Sequence, residues 1–303
     1  MQKISTCLWF DTEAEEAAKW YTSIFQHSTM RTVAMYPKSL EAVTGKKAGT
    51  VMTAEFEIEG QHVMALNGGP AFHINQSISF FIHCTTAAEV DEYWAQLGKG
   101  GKVLMELQQY PFSKRYGWIQ DKYGVSWQVI LVDDMNVPAK IVPSLLFVGK
   151  NFGKAQEAVN HYLSVFPDAK VTMMNKAPPG PPYNNAEAVA YAAFNLCGEP
   201  FTIMDGPGKH AFAFSEGVSF VINCENQEEV DHYWEKLTAD GGEESMCGWL
   251  KDKYGVSWQV TPTMMSELMR GNNPEKQERA MAAMLKMKKL DIHGLKNAAE
   301  QKG

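Results

Sequence analysis

The sequence predicts an α+β fold made of two copies of one module with a helical tail, on three observations. The first is an internal repeat: Gly117-Trp118-Ile119-Gln120-Asp121-Lys122-Tyr123-Gly124-Val125-Ser126-Trp127-Gln128-Val129 is echoed by Gly248-Trp249-Leu250-Lys251-Asp252-Lys253-Tyr254-Gly255-Val256-Ser257-Trp258-Gln259-Val260. A match of that length and order marks a duplication. The second is the order of patterns within each copy, which reads strand, helix, three strands, and then the same again. The third is a change of character after Pro262, where helical spacing replaces the short β runs.

The repeat spans nearly the whole chain. Ile78-Ser79-Phe80-Phe81-Ile82-His83-Cys84 matches Val218-Ser219-Phe220-Val221-Ile222-Asn223-Cys224, and Glu89 to Trp94 matches Glu229 to Trp234. Further back, Glu16-Ala17-Ala18-Lys19-Trp20-Tyr21 corresponds to Glu157-Ala158-Val159-Asn160-His161-Tyr162. A period of about 140 residues is one domain rather than a solenoid unit. The expected domains are therefore 1–135 and 141–263, followed by a tail over 264–303, with the linker near Asp133 to Lys140 around Pro138.

Local signals place the elements. Thr12 with Glu15 reads as a capping box for the first helix, whose apolar stripe is Ala17, Tyr21, Ile24 and Phe25. Thr86 with Glu89 and Asn226 with Glu229 repeat the device, ahead of the stripes Val90, Tyr93, Trp94, Leu97 and Val230, Tyr233, Trp234, Leu237. Val51 to Ile58 and Gln61 to Leu66 are hairpin strands joined at Glu59-Gly60, and Asp121-Lys122-Tyr123-Gly124 turns the Trp118 strand into the Trp127 strand. In the tail, Asn273-Pro274-Glu275 starts a helix with Ala280, Met281, Met284 and Leu285 on one face.

Composition excludes several function classes. The 303 residues carry a formal net charge of -7, the wrong sign for holding a phosphate backbone, so no nucleic-acid partner is expected. No window approaches the roughly 18 apolar residues of a membrane span, and the first residues lack the order of a signal peptide, so the expected location is the cytoplasm. Cys7, Cys84, Cys197, Cys224 and Cys247 form no CxxC pair, which reads as free thiols in a reducing compartment.

Paired strand-helix-three-strand units that end in an Asp-x-x-Gly hairpin resemble the vicinal oxygen chelate superfamily, in which two such units curl into an open cup. More narrowly, Cys247 to Val260, with Ser219-Phe220 and Glu229-Val230-Asp231-x-Tyr233-Trp234 upstream, resembles the PhnB-like family usually labelled demethylubiquinone methyltransferase-like. The tail segment Met287-Lys288-Lys289-Leu290-Asp291-Ile292 is similar to that family's tails. The resemblance implies tandem cup domains, each of two paired βαβββ units.

It also implies where a metal would sit. Metal enzymes of the superfamily draw ligands from the first, fifth and last strands of a cup, the last being a Glu four residues after the hairpin Gly. Those places fall here on Thr6, Ser77 or Ser79, and Gln128 in the first copy, and on Ser144 or Phe147, Gly217 or Ser219, and Gln259 in the second. Hydroxyls and neutral amides are not usual ligands for a divalent ion, so no tightly held metal and no other cofactor is expected, a weakly held divalent ion remaining open. Nor does either Gly-rich turn, Asn67-Gly68-Gly69-Pro70 or Asp205-Gly206-Pro207-Gly208, precede the helix that a Rossmann-type cofactor site requires.

Strand alternation puts Val125, Trp127 and Val129 under the helices and Gln128 in the cup. Trp118 and Trp249 fit either the core or a stacking platform. Glu55 and Glu57 share a face that Tyr191, Ala193 and Asn195 occupy in the second copy, which favours a solvated face over acid-base work. Cys247 lacks the cation or helix start that would activate a thiol, and His62, His73 and His83 have no His counterparts.

The expected function is binding of a small organic molecule by Thr6, Ser79, Trp118, Gln128, Ser219, Trp249 and Gln259. One alternative is a lyase or oxygenase with a weakly held divalent ion. Another is an interaction protein whose second copy supplies what a homodimer partner would, with the tail serving assembly of a homo-oligomer.

Overall fold

A computed structural model describes residues 2–133, 137, 139–271 and 273–300. Copy one runs β1 (Ile4–Phe10), α1 (Ala14–Ile24), β2 (Ser28–Met35), the short α2 (Glu41–Thr44), β3 (Val51–Ile58) and β4 (Gln61–Asn67), then β5 (Ile78–Cys84), α3 (Ala87–Leu97), β6 (Lys102–Tyr110), β7 (Ser113–Gln120) and β8 (Ser126–Leu131). Copy two runs β9 (Ile141–Phe147), α4 (Ala155–Val165), β10 (Lys170–Lys176), β11 (Val189–Leu196) and β12 (Glu199–Asp205), then β13 (Val218–Cys224), α5 (Gln227–Thr238), β14 (Glu243–Glu244), β15 (Trp249–Lys251) and β16 (Ser257–Pro262). The tail is α6 (Thr263–Arg270), α7 (Pro274–Met284) and α8 (Ile292–Glu300). Of the predicted linker, residues 134–136 and 138 lie outside the described residues.

The strands form two eight-stranded sheets in two compact units. Residues 1–72 with 216–303 hold the sheet β14-β15-β16-β13-β1-β4-β3-β2, and residues 73–215 hold β10-β11-β12-β9-β5-β8-β7-β6. Each unit joins half of one copy to half of the other. The boundaries at 1–135 and 141–263 divide the sequence, whereas the compact units part within each copy, after Phe72 and after Ser215.

The reason lies in the first strand of each half-module. β5, β9 and β13 are buried along their whole length, so neither flank can face water. β1 therefore pairs antiparallel with β13, from Ile4 opposite Ile222 to Leu8 opposite Val218, and β5 pairs with β9, from Ile78 opposite Leu145 to Ile82 opposite Ile141.

Helices cover one face of each sheet. α1 lays Ala14, Ala17, Ala18, Tyr21 and Ile24 against β3 and β4, with the Tyr21 ring stacked 5.9 Å from Phe56. α4 repeats this with Tyr162 stacked 6.3 Å from Phe194. The predicted N-caps of α3 and α5 form, with Glu89 N donating to Thr86 Oγ1 at 3.2 Å and Glu229 N to Asn226 Oδ1 at 2.9 Å, while the two glutamates reach back one residue further than a capping box, accepting from Thr85 N and Glu225 N at 2.9 and 2.7 Å. The box predicted for α1 does not form. Thr12 caps nothing, and the helix start is instead satisfied from a distant strand, with Ala14 N donating to Asn67 Oδ1 at 2.8 Å. Glu59 and Gly60, at φ 48° and 79°, make the tight turn between β3 and β4, which explains the glycine.

Asn67 is buried, and its amide also donates to Val51 O at 3.0 Å. Asn67→Ala is expected to cost about 2 kcal/mol by stranding both partners. Thr12→Ala should change stability by less than about 0.5 kcal/mol. Urea midpoints read by circular dichroism decide between the two caps.

Candidate functional site

The face opposite the helices is the inside of each cup, and strand register decides what lines it. In residues 73–215, Ser79 stands level with Ser126 and Ser144, and Phe81 level with Gln128, which is level with Trp118. These side chains share one face, and a hydrogen-bond relay links them. Tyr116 Oη donates to Gln128 Oε1 at 2.6 Å, Gln128 Nε2 donates to Ser79 Oγ at 2.8 Å, and Trp118 Nε1 donates to Ser126 Oγ at 2.6 Å. Gln128 is buried, so its amide is committed on both ends to protein partners. Around the relay, Phe81, Tyr116 and Val142 form an apolar cluster on which Trp118, Tyr191 and Met204 pack.

In residues 1–72 with 216–303 the same arrangement recurs with other residues. Cys7 is level with Ser219, Ser219 with Ser257, and Gln259 with Trp249. Gln259 Nε2 donates to Ser219 Oγ at 2.9 Å, and both side chains hydrogen-bond with the Cys7 thiol. Trp249 packs edge-on against Trp9, with ring centroids 5.8 Å apart, and Trp9 Nε1 donates to Gly69 O at 2.7 Å. Gly68 makes room for that indole, since a Cβ there would lie 2.0 Å from it.

Ser79, Gln128 and Trp118 come together in one unit, and Ser219, Gln259 and Trp249 in the other, because each unit takes its halves from different copies. Thr6, expected in the cup, lies on the helical face, level with Val63 and with Phe220. Side chains alternate along a strand, so Thr6 and Cys7 face opposite ways and Cys7 holds the inward position. Glu57 pairs with Arg31 at 2.5 Å and Glu55 with His62 at 3.5 Å, so this face carries ion pairs rather than open carboxylates. His83 is buried, with Nδ1 2.9 Å from Ala139 O, and burial holds its pKa below the usual imidazole value.

The two hairpins ahead of the glutamines owe their shape to a buried Asp. Asp121 Oδ1 accepts from Tyr123 N at 2.8 Å and Val125 N at 3.0 Å, while Oδ2 accepts from Trp127 Nε1 at 2.8 Å. Asp252 does the same for Tyr254 N, Val256 N and Trp258 Nε1 at 2.9, 3.0 and 3.0 Å. The carboxylate locks the turn and the strand that carries the glutamine inward.

The residues at the superfamily's metal positions, Cys7, Ser219 and Gln259 in one unit and Ser144, Ser79 and Gln128 in the other, do not fit a divalent ion. They offer no carboxylate or imidazole, and both glutamines are spent on neighbouring side chains. Among the described residues, no group of three or more His, Cys, Asp and Glu could hold a metal. The two Gly-rich turns lead toward strands β5 and β13, not into helices.

Burial pushes the Cys7 thiol up to about 11 against its hydrogen bonds, and Cys84 and Cys224 to about 12. Burial also raises the Tyr116 phenol, with Tyr110 adding to it. A thiol whose folded pKa exceeds its unfolded value of 9.0 favours folding fully below pH 9, and that contribution is lost as pH rises through the folded value. The melting temperature is therefore expected to fall between about pH 9 and 11, less steeply in Cys7→Ala. Iodoacetamide at pH 8 should leave Cys7, Cys84 and Cys224 of the native protein unlabelled, as peptide mass spectrometry will show.

The sequence profile of the family described as 3-demethylubiquinone-9 3-methyltransferase matches residues 2–130 and again 139–261. No curated protein sequence matches the chain. Among solved structures, the PhnB protein of Bacillus cereus is 39% identical over 43% of this chain and 100% of its own, with a TM-score of 0.40. A Staphylococcus aureus protein is 33% identical over 43% of this chain and 97% of its own, with a TM-score of 0.18. Glyoxalase I of Zea mays is 13% identical, covers 84% of this chain and 92% of its own, and has a TM-score of 0.52, a likeness of fold alone. Two family matches in one chain, each ending in the Asp-x-x-Gly hairpin and its inward glutamine, mean that this chain belongs to the PhnB-like 3-demethylubiquinone-9 3-methyltransferase family, in tandem form and with a glyoxalase-like fold.

Proposed function

We propose that this chain binds a small organic molecule inside a cup without a resident metal ion. The observation that carries the reading is the pair of relays, Gln259-Ser219-Cys7 and Tyr116-Gln128-Ser79, which tie up Gln259, Ser219, Cys7, Gln128 and Ser79 at the places where the superfamily's metal enzymes hold ligands. A buried amide bonded to a hydroxyl and to a thiol or phenol is at rest electrically. Nothing there calls for a cation to neutralise it. The same face carries indoles at Trp9, Trp118 and Trp249, which offer flat apolar surface with a polar edge. Methyl transfer, which the family's name mentions, would need a cofactor cradle that neither Gly-rich turn builds. A cytoplasmic location accords with the five free cysteines.

A second reading concerns assembly, and the antiparallel pairings β1 with β13 and β5 with β9 favour it: the second copy fills, within one chain, the place of a dimer partner. The full chain is then expected to be a monomer of 33.9 kDa in light scattering, and the chain without residues 264–303 is expected to remain a monomer at its own lower mass. A stable dimer that dissociates on removing the tail would instead assign assembly to the tail.

Native mass spectrometry of gently purified protein, with metal analysis alongside, tests binding. An organic adduct without a stoichiometric divalent ion is the expected result. A stoichiometric divalent ion overturns the metal-free reading.

A further inference from the structure

The two cups share a plan but differ in how two matched residues are held and in the identity of two others. Trp118 and Trp249 correspond, as do Ser126 and Ser257 beneath them. Trp118 is tied down by its bond to Ser126 Oγ. Trp249 has turned away to meet the edge of Trp9, and Ser257 Oγ, although only 1% exposed, has no partner. Beside them, the bulky Tyr116 and Phe81 of one cup are replaced by Cys247 and Val221 in the other.

The backbone diverges at the same place. Cys247 and Gly248 take φ of 61° and 83°, where Tyr116 and Gly117 lie within the regular strand β7. A left-handed non-glycine residue is strained and needs its surroundings to hold it. Here the tail supplies the hold, with Cys247 N donating to Met287 O at 2.7 Å and Gly248 N to Lys288 O at 2.8 Å. Trp249 is consequently the first residue of β15, at the edge of the cup rather than inside a long strand.

We infer that the cup built from β1 to β4 and β13 to β16 is the ligand site, holding a planar, uncharged ring against the perpendicular indoles of Trp9 and Trp249 with one ring oxygen on Ser257 Oγ, while the other cup is closed by its own Tyr116, Phe81 and Tyr191. Two indoles at 85° give a flat molecule one face to stack on and one edge to meet. The orphaned hydroxyl supplies the polar partner that a buried oxygen requires. The other cup has an orphan too, Ser144 Oγ, but its relay is complete and its apolar cluster fills the face around it. This inference rests on the binding proposal above and assigns it to one cup.

The test uses the full chain with 15N-labelled indoles and 2-naphthol as probe, the two resonances being assigned from Trp249→Phe and Trp118→Phe. The Trp249 Nε1–H signal should shift saturably as 2-naphthol is raised to about 1 mM, while Trp118 stays still; Ser257→Ala should weaken binding about three- to tenfold and Ser126→Ala should leave it unchanged. A shift of Trp118 without Trp249, or of neither, overturns the inference. The adduct retained on native purification separates the two proposals. If Trp118→Ala removes it and Trp249→Ala does not, cup binding stands and this assignment falls; if both variants keep it in full, both fall.

Discussion

The antiparallel pairing of β1 with β13 and of β5 with β9 is the constraint on which the structure depends. Three of the four half-modules, those of β5, β9 and β13, begin with a strand buried along its whole length, so an unpaired edge there would expose hydrogen-bonding groups and hydrophobic side chains together. Joining the first half of one copy to the second half of the other covers both flanks. It also decides which residues can meet: Cys7 reaches Ser219 and Gln259 only because β1 lies beside β13, 212 residues apart where Cys7 faces Ser219.

Within that frame the cups are governed by the cost of burying polar groups. Asp121 and Asp252 are buried carboxylates, affordable because backbone amides and one indole surround each of them. The glutamines one turn later are satisfied by hydroxyl, phenol and thiol neighbours. A Glu in that place would bring a charge that these neighbours do not neutralise, and a cation would find no second charged ligand. Such a lining offers hydrogen-bonding groups and flat aromatic surface.

The tail belongs to this account as well. Its core of Met265, Ala280, Leu290, Leu295 and Ala299 closes on itself, its hydrogen bonds and ion pair to Cys247, Gly248, Gln227 and Asp231 fall in the half-module that carries Trp249, and α7 also touches the Lys38–Leu40 turn of the other half-module. Only that unit contains it. A segment that holds a strained turn next to an aromatic side chain shapes the site without lining it.

Sequence alone determined the duplication, the strand-helix-strand order, the two Asp-x-x-Gly hairpins, the inward glutamines and the caps of α3 and α5, because each rests on spacing within a few residues: period two, period 3.6, or a four-residue turn. What failed was whatever depended on distant partners. The cap of α1 comes from Asn67, 53 residues away, not from Thr12 beside it. Thr6 and Cys7 exchanged faces, because a helix stripe does not set the register of the strand before it and one residue of slip reverses every side chain. Tertiary structure alone decided that the cups cross the copies, that Trp118 is tied to Ser126 while Trp249 is not, and that a thiol stands where the matching cup has Ser144. Those outcomes turn on which apolar edges find each other in three dimensions, and local pattern carries no record of that choice.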